Sequence, residues 1–160
     1  MTEKKKQQKK IAAQLKAMVI VIALAGCVFL ALMTNYARYI YEYETYKGEW
    51  TFILFTYAIG IACAAILVLF WGVCTRIGND NSFSMENETA LARMGICGLA
   101  ISAIALLRLI VFYVRFGGGL YMWYAAAETM LGIIFFVICS ALSKLVKGAY
   151  ELKRENDLTI

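Results

Sequence analysis

From Trp50 to Thr75 the chain carries no charged side chain, and three further stretches approach that condition. Ala17 to Met33 has no polar side chain, Met94 to Val114 holds Arg108 as its one charge, and Tyr121 to Ser143 holds Glu128. A bilayer core needs about 20 predominantly apolar residues per helix, so each stretch meets or approaches the length of a span. Hiding them from water would take a core that 160 residues, 62% apolar and 17% charged, cannot build. The expected fold is therefore all-α: a polytopic membrane protein with four transmembrane helices in an up-down bundle and both termini on one side. The spans are expected at about 17–36, 51–74, 94–114 and 121–143 within a membrane domain 17–143. A basic arm, 1–16, precedes them and an amphipathic tail, 144–160, follows. Proline is absent, so nothing forces a kink through a lost backbone donor.

Direction follows from Lys and Arg, which resist translocation. The arm, the 76–93 loop and the tail together hold twelve of them, against three on the opposite side. Both termini and the 76–93 loop are expected in the cytoplasm. Attraction of the cationic side to anionic lipid headgroups accounts for the net charge of +5. Direct nucleic-acid binding explains the basic arm less well, because no folded reader accompanies it. On the other side Tyr36, Tyr39, Tyr43, Tyr46 and Trp50 crowd the first outer loop, and Trp123 opens the fourth span. Rings with one polar end suit the headgroup level, so these residues read as an outer aromatic belt; the alternative is a tyrosine-lined ligand mouth.

Local signals mark the helix ends. Gly48 and Gly78 are natural stops for the first two helices. Ser84 fits the N-cap of the third, with Glu86 and Glu88 complementing its dipole. Gly117, Gly118 and Gly119 make a tight outer hairpin.

Without any His, the chain has no imidazole for a nucleophilic triad, an ordinary zinc site or a proton relay near neutral pH. The expectation is a non-enzymatic protein with no cofactor and no metal. The five cysteines, Cys27, Cys63, Cys74, Cys97 and Cys139, contain no C-x-x-C pair and read as small apolar packing residues. Two alternatives are lipidation of Cys27, since Leu24-Ala25-Gly26-Cys27 has the form of a lipoprotein cleavage site, and redox sensing at Cys74.

The sharpest chemical feature is Arg108 with Glu128, each ten residues from Gly118. At about 1.5 Å per residue they lie at matching depth on antiparallel neighbours, so they can meet as an intramembrane ion pair. One reading is a clip that sets the register of two helices. The other is a ligand or ion site, with Arg115 lining the approach for an anion. Gly95, Gly98, Ser102 and Ala105 on the third span, Gly60 and Ala64 on the second, and Ala125, Thr129 and Gly132 on the fourth mark close helix approaches. These stripes serve a compact bundle or the seam of a homo-oligomer equally well.

Two cytoplasmic segments are more specific than anchoring requires. Asn79 to Asn87 leads into the third span, and the tail carries Leu142, Leu145, Val146, Ala149 and Leu152 at helical spacing. The tail helix is expected to end near Asn156, leaving Asp157-Leu158-Thr159-Ile160 extended. Phe83, Ser84, Glu86 and Asn87, with the closing Glu155, Asn156, Asp157, Leu158, Thr159 and Ile160, resemble the pattern of a family of small bacterial four-span membrane proteins of unknown function. Members are commonly encoded beside a short Cro/C1-type (Xre) helix-turn-helix regulator. The resemblance implies a membrane component of a regulatory pair, with those ten residues as candidates for binding the regulator. Packing of the tail against the 79–94 segment is the competing reading. Arg108, Glu128 and the tyrosine-rich loop lie outside that pattern, and the alternative function is a small transporter or ligand-binding bundle centred on the ion pair.

Overall fold

Backbone in hydrocarbon must satisfy its own hydrogen bonds, and a chain without proline can do so in unbroken helices. The computed structural model describes residues 3–43, 49–79, 81–117 and 120–158. It contains four helices, α1 (Glu3–Tyr43), α2 (Glu49–Gly78), α3 (Met85–Phe116) and α4 (Leu120–Leu158), and no strand among the described residues. All four are long and apolar enough to cross a membrane. The protein is an all-α four-helix membrane bundle.

The helices run antiparallel in chain order. α1 packs on α2, α2 on α3 and α3 on α4, while no Cα of α1 comes within 8 Å of one of α4 among the described residues. The bundle is thus open along the side between its first and last helices. Where helices touch, small residues let them. A Cβ on Gly98 would lie 3.1 Å from the Gly132 carbonyl oxygen, and one on Gly60 would lie 3.1 Å from the Leu30 side chain. Ala105, Ala125 and Cys74 are buried, whereas Leu24, Leu32, Leu54, Ile61, Met130 and Leu131 face outward. Lipid tails solvate Leu as well as protein does, so tight backbone approach holds these helices together. The small-residue stripes of α3 and α4 are spent on each other, within one chain.

Several ends fall where local chemistry puts them. α2 stops at Gly78, and Ser84 caps α3 by accepting from the Asn87 N–H. Gly117 ends α3 at φ 70°, with its N–H donating to the Tyr113 carbonyl at 2.9 Å. Gly48, Gly118 and Gly119 lie outside the described residues.

The basic arm, 1–16, is helical from Glu3 and continuous with the apolar run of α1. Lysine is a good helix former, and Ala12 is buried against the end of α2, 3.1 Å from where a Gly78 Cβ would sit. The tail also stays helical through Asp157 and Leu158 instead of becoming extended after Asn156, because no Gly or Pro interrupts it there. Thr159 and Ile160 lie outside the described residues. At about 1.5 Å per residue the 41 residues of α1 and 39 of α4 measure about 60 Å each, twice a hydrocarbon core. Both project past the α2–α3 turn at the basic end of the bundle.

Candidate functional site

The α2–α3 turn is built around Asn87, which is 1% exposed. Its Nδ2 donates to the carbonyls of Asn81 (3.2 Å) and Ser82 (2.9 Å), and its Oδ1 accepts from Arg76 Nη1 at 3.4 Å. An amide is the side chain that can do both at once. Arg76, in the last turn of α2, also donates from Nε to Glu86 Oε2 at 2.7 Å, while its carbonyl receives the N–H groups of Asn79 and Asn81. At the next residue of α3, the Ser143 hydroxyl of α4 lies 3.2 Å from the Glu88 carbonyl and 3.1 Å from its Oε1. Three helices are therefore tied together at this end.

That arrangement sorts the predicted binding residues of the turn. Ser84 and Asn87 are buried and spend their polar atoms inside the turn, so they shape the surface without presenting themselves on it. Glu86 is held by Arg76, and Phe83 stands 53% exposed. On the extension of α4, Glu155 and Asn156 lie on the exposed helical surface; the side chains of Asp157 and Leu158 are outside what is described. The stripe Ser143, Val146 and Tyr150 turns toward the bundle. Leu145 and Leu152, at 69% and 64% exposure, stand bare on the other side with Leu142. Below the turn, Arg76, Glu86 and Arg93 rim a cavity of about 420 Å³ between α2 and α3. Periodicity alone does not reveal this cavity, because Arg76 and Arg93 read separately as loop cations.

At the opposite, aromatic end the structure brings Arg108 and Glu128 together: Arg108 Nη2 donates to Glu128 Oε2. Their side chains are 11% and 39% exposed, so the guanidinium lies beneath the carboxylate. No other hydrogen bond of the Arg108 guanidinium is found among the described residues. The pair sits in a cleft of about 480 Å³ to which every helix contributes. Phe29 and Tyr36 of α1, Phe52 of α2, Phe112 of α3 and Tyr124 of α4 wall it, with the Phe52 and Phe112 rings edge to face at 6.4 Å. The missing α1–α4 contact is what leaves this room. A charged pair at such a depth survives by mutual satisfaction, and a cleft of this size with a few polar groups among apolar walls has the proportions of a small-molecule site.

The belt residues divide. Tyr36, Tyr39, Trp50 and Trp123 are exposed at the aromatic end, and Tyr36 serves the cleft as well. Tyr46 and the side chain of Tyr43 lie outside the described residues. Cys74 is fully buried, which closes its thiol to an oxidant in solution, and Cys27 faces outward in mid-helix. Among the described residues no three Cys, Asp or Glu side chains converge as they would to hold a metal ion.

No curated protein and no solved structure matches the chain significantly. One family does, described as protein of unknown function (DUF2975), over residues 35–160. The matched stretch runs from the last turns of α1 through the α2–α3 turn, both charged clusters and the α4 extension, which is most of the molecule. The chain belongs to the DUF2975 family.

Proposed function

We propose that the protein is a non-enzymatic membrane adaptor that holds a cytoplasmic partner at the inner face of the bacterial plasma membrane. The partner is the helix-turn-helix regulator of Cro/C1 type that the family resemblance implies. The observation that carries the reading is the bare leucine stripe on the α4 extension. Leu152 lies on the part of α4 that continues past the α2–α3 turn, and Leu145, level with the first turn of α3, faces away from it, so no neighbouring helix covers either. An amphipathic helix with bare leucines three and seven residues apart, on one face, suits a hydrophobic groove on a folded partner. Phe83, bare on the nearby turn, adds a second apolar anchor. The flanking Lys144, Lys147, Lys153 and Arg154 keep the extension soluble beside anionic lipid.

The test is recovery of the neighbouring regulator with the solubilised protein. Leu152→Glu places a charge on the stripe well outside the spans, so insertion and thermal stability should be unchanged. Recovery should fall at least tenfold, and transcription of the adjacent genes should shift. Equal recovery with Leu152→Glu and with a chain truncated after Tyr150 contradicts the adaptor reading. A ligand-binding or transporting bundle is the second reading, favoured by the cleft around Arg108 and Glu128; the two differ in which end of the molecule carries the activity.

A further inference from the structure

The cavity between α2 and α3 at the basic end has an unequal charge balance. Arg76 and Arg93 face it from opposite helices, and Glu86 is the carboxylate on its rim. Glu86 is taken up by Arg76 Nε at 2.7 Å. Arg93 makes no hydrogen bond or ion pair among the described residues, and its side chain is exposed toward the cavity it lines. Two guanidinium groups against one carboxylate leave one positive charge over a space of about 420 Å³.

The depth of that charge is set by the sequence. Arg76 directly follows the uncharged run that ends at Thr75, and Arg93 directly precedes the run that begins at Met94. Both therefore stand at headgroup level in one leaflet. The floor of the cavity is Val68 and Leu69, with Ala90 on its wall above Arg93, and Val68 lies two helical turns, about 12 Å, deeper than Arg76. The missing side chain of Gly72 makes room for the Arg76 guanidinium, which folds back over that glycine toward the depth of Arg93. A cationic rim above an apolar floor matches a phosphate joined to an acyl chain. We infer that this cavity binds the phosphate of an anionic phospholipid headgroup between Arg93 and Arg76, with the upper acyl chain against Val68 and Leu69. The second guanidinium is needed because Glu86 already neutralises the first. This site is independent of the adaptor reading, which rests on the α4 extension.

Full-length protein purified in detergent with equal phosphatidylglycerol and phosphatidylcholine, and examined by native mass spectrometry, tests the assignment. The wild type should retain phosphatidylglycerol at least about fivefold over phosphatidylcholine, the ratio expected from one cation near the surface. Arg93→Gln should bring the ratio to unity at unchanged thermal stability, Arg93→Lys should restore most of it, and Arg154→Gln on the α4 extension should leave it intact. A ratio that survives Arg93→Gln, or that falls equally with Arg154→Gln, overturns the site. Displacement by glycerol phosphate at millimolar concentration assigns the same phosphate chemistry to a soluble ester and overturns the lipid source.

Discussion

Gly132→Ala separates α3 from α4. The added Cβ would stand 2.2 Å from Ser102 Oγ and 2.7 Å from the Gly98 carbonyl oxygen. The hydroxyl can rotate only by leaving the Thr129 carbonyl, 3.0 Å away, and the backbone oxygen cannot rotate at all. Overpacking typically costs 1–3 kcal/mol, and contact with fixed backbone places this variant at about 3 kcal/mol. Thermal unfolding in detergent should drop accordingly. A second readout is local: Cys139 is 3% exposed and packs beside Gly95 in the same crossing, so its labelling by a thiol reagent should accelerate. Gly26→Ala is the matched control, because nothing lies within 4 Å of its new Cβ. Equal stability of the two variants would mean that α3 and α4 do not cross where the glycines put them.

Arg108→Leu and Glu128→Leu are each expected to weaken the bundle more than both together. Either single change leaves one charge at membrane depth without its partner, a cost of about 2.5–3.5 kcal/mol on insertion scales. The double change removes both charges and fills part of the cleft with hydrocarbon, and replacing a buried ion pair by apolar residues is often neutral. The double-mutant cycle should therefore show a coupling of about 5–7 kcal/mol, the sum of the two single losses, read from thermal stability in detergent. Additive losses would contradict direct pairing. The same double variant separates the two roles of the cleft. A register clip leaves cellular activity near wild type once stability returns, whereas a ligand site loses activity although the fold survives.

What could be read from the sequence was local in origin. The four spans are hydropathy over windows of about twenty residues. The end of α2 at Gly78, the Ser84 cap and the Gly117 stop each depend on one residue and its immediate neighbours. The ion pair could be found because a tight hairpin equalises depth on both sides, which turns sequence distance from Gly118 into spatial register. What stayed hidden depends on how helices face one another. Asn87 reads in the sequence as a candidate for binding a partner, and its role in organising the turn shows only when the carbonyls of Asn81 and Ser82 turn toward it. The leucine stripe of the tail is visible as periodicity, but not that it lies on the bare side. The inward side carries Ser143, a polar residue that packs because Glu88 receives its hydroxyl. The helical state of the lysine-rich start follows from Ala12 meeting Gly78, a contact between residues sixty-six positions apart.

The placement of the adaptor surface and of the lipid cradle both require the basic end to face the cytoplasm. Two fusions decide this most directly: a reporter active only in the cytoplasm joined after Ile160, and a reporter active only after export inserted between Gly118 and Gly119. Activity of both is the predicted result. An exported reporter that is active after Ile160 and silent in the hairpin would place the basic end outside and contradict the account.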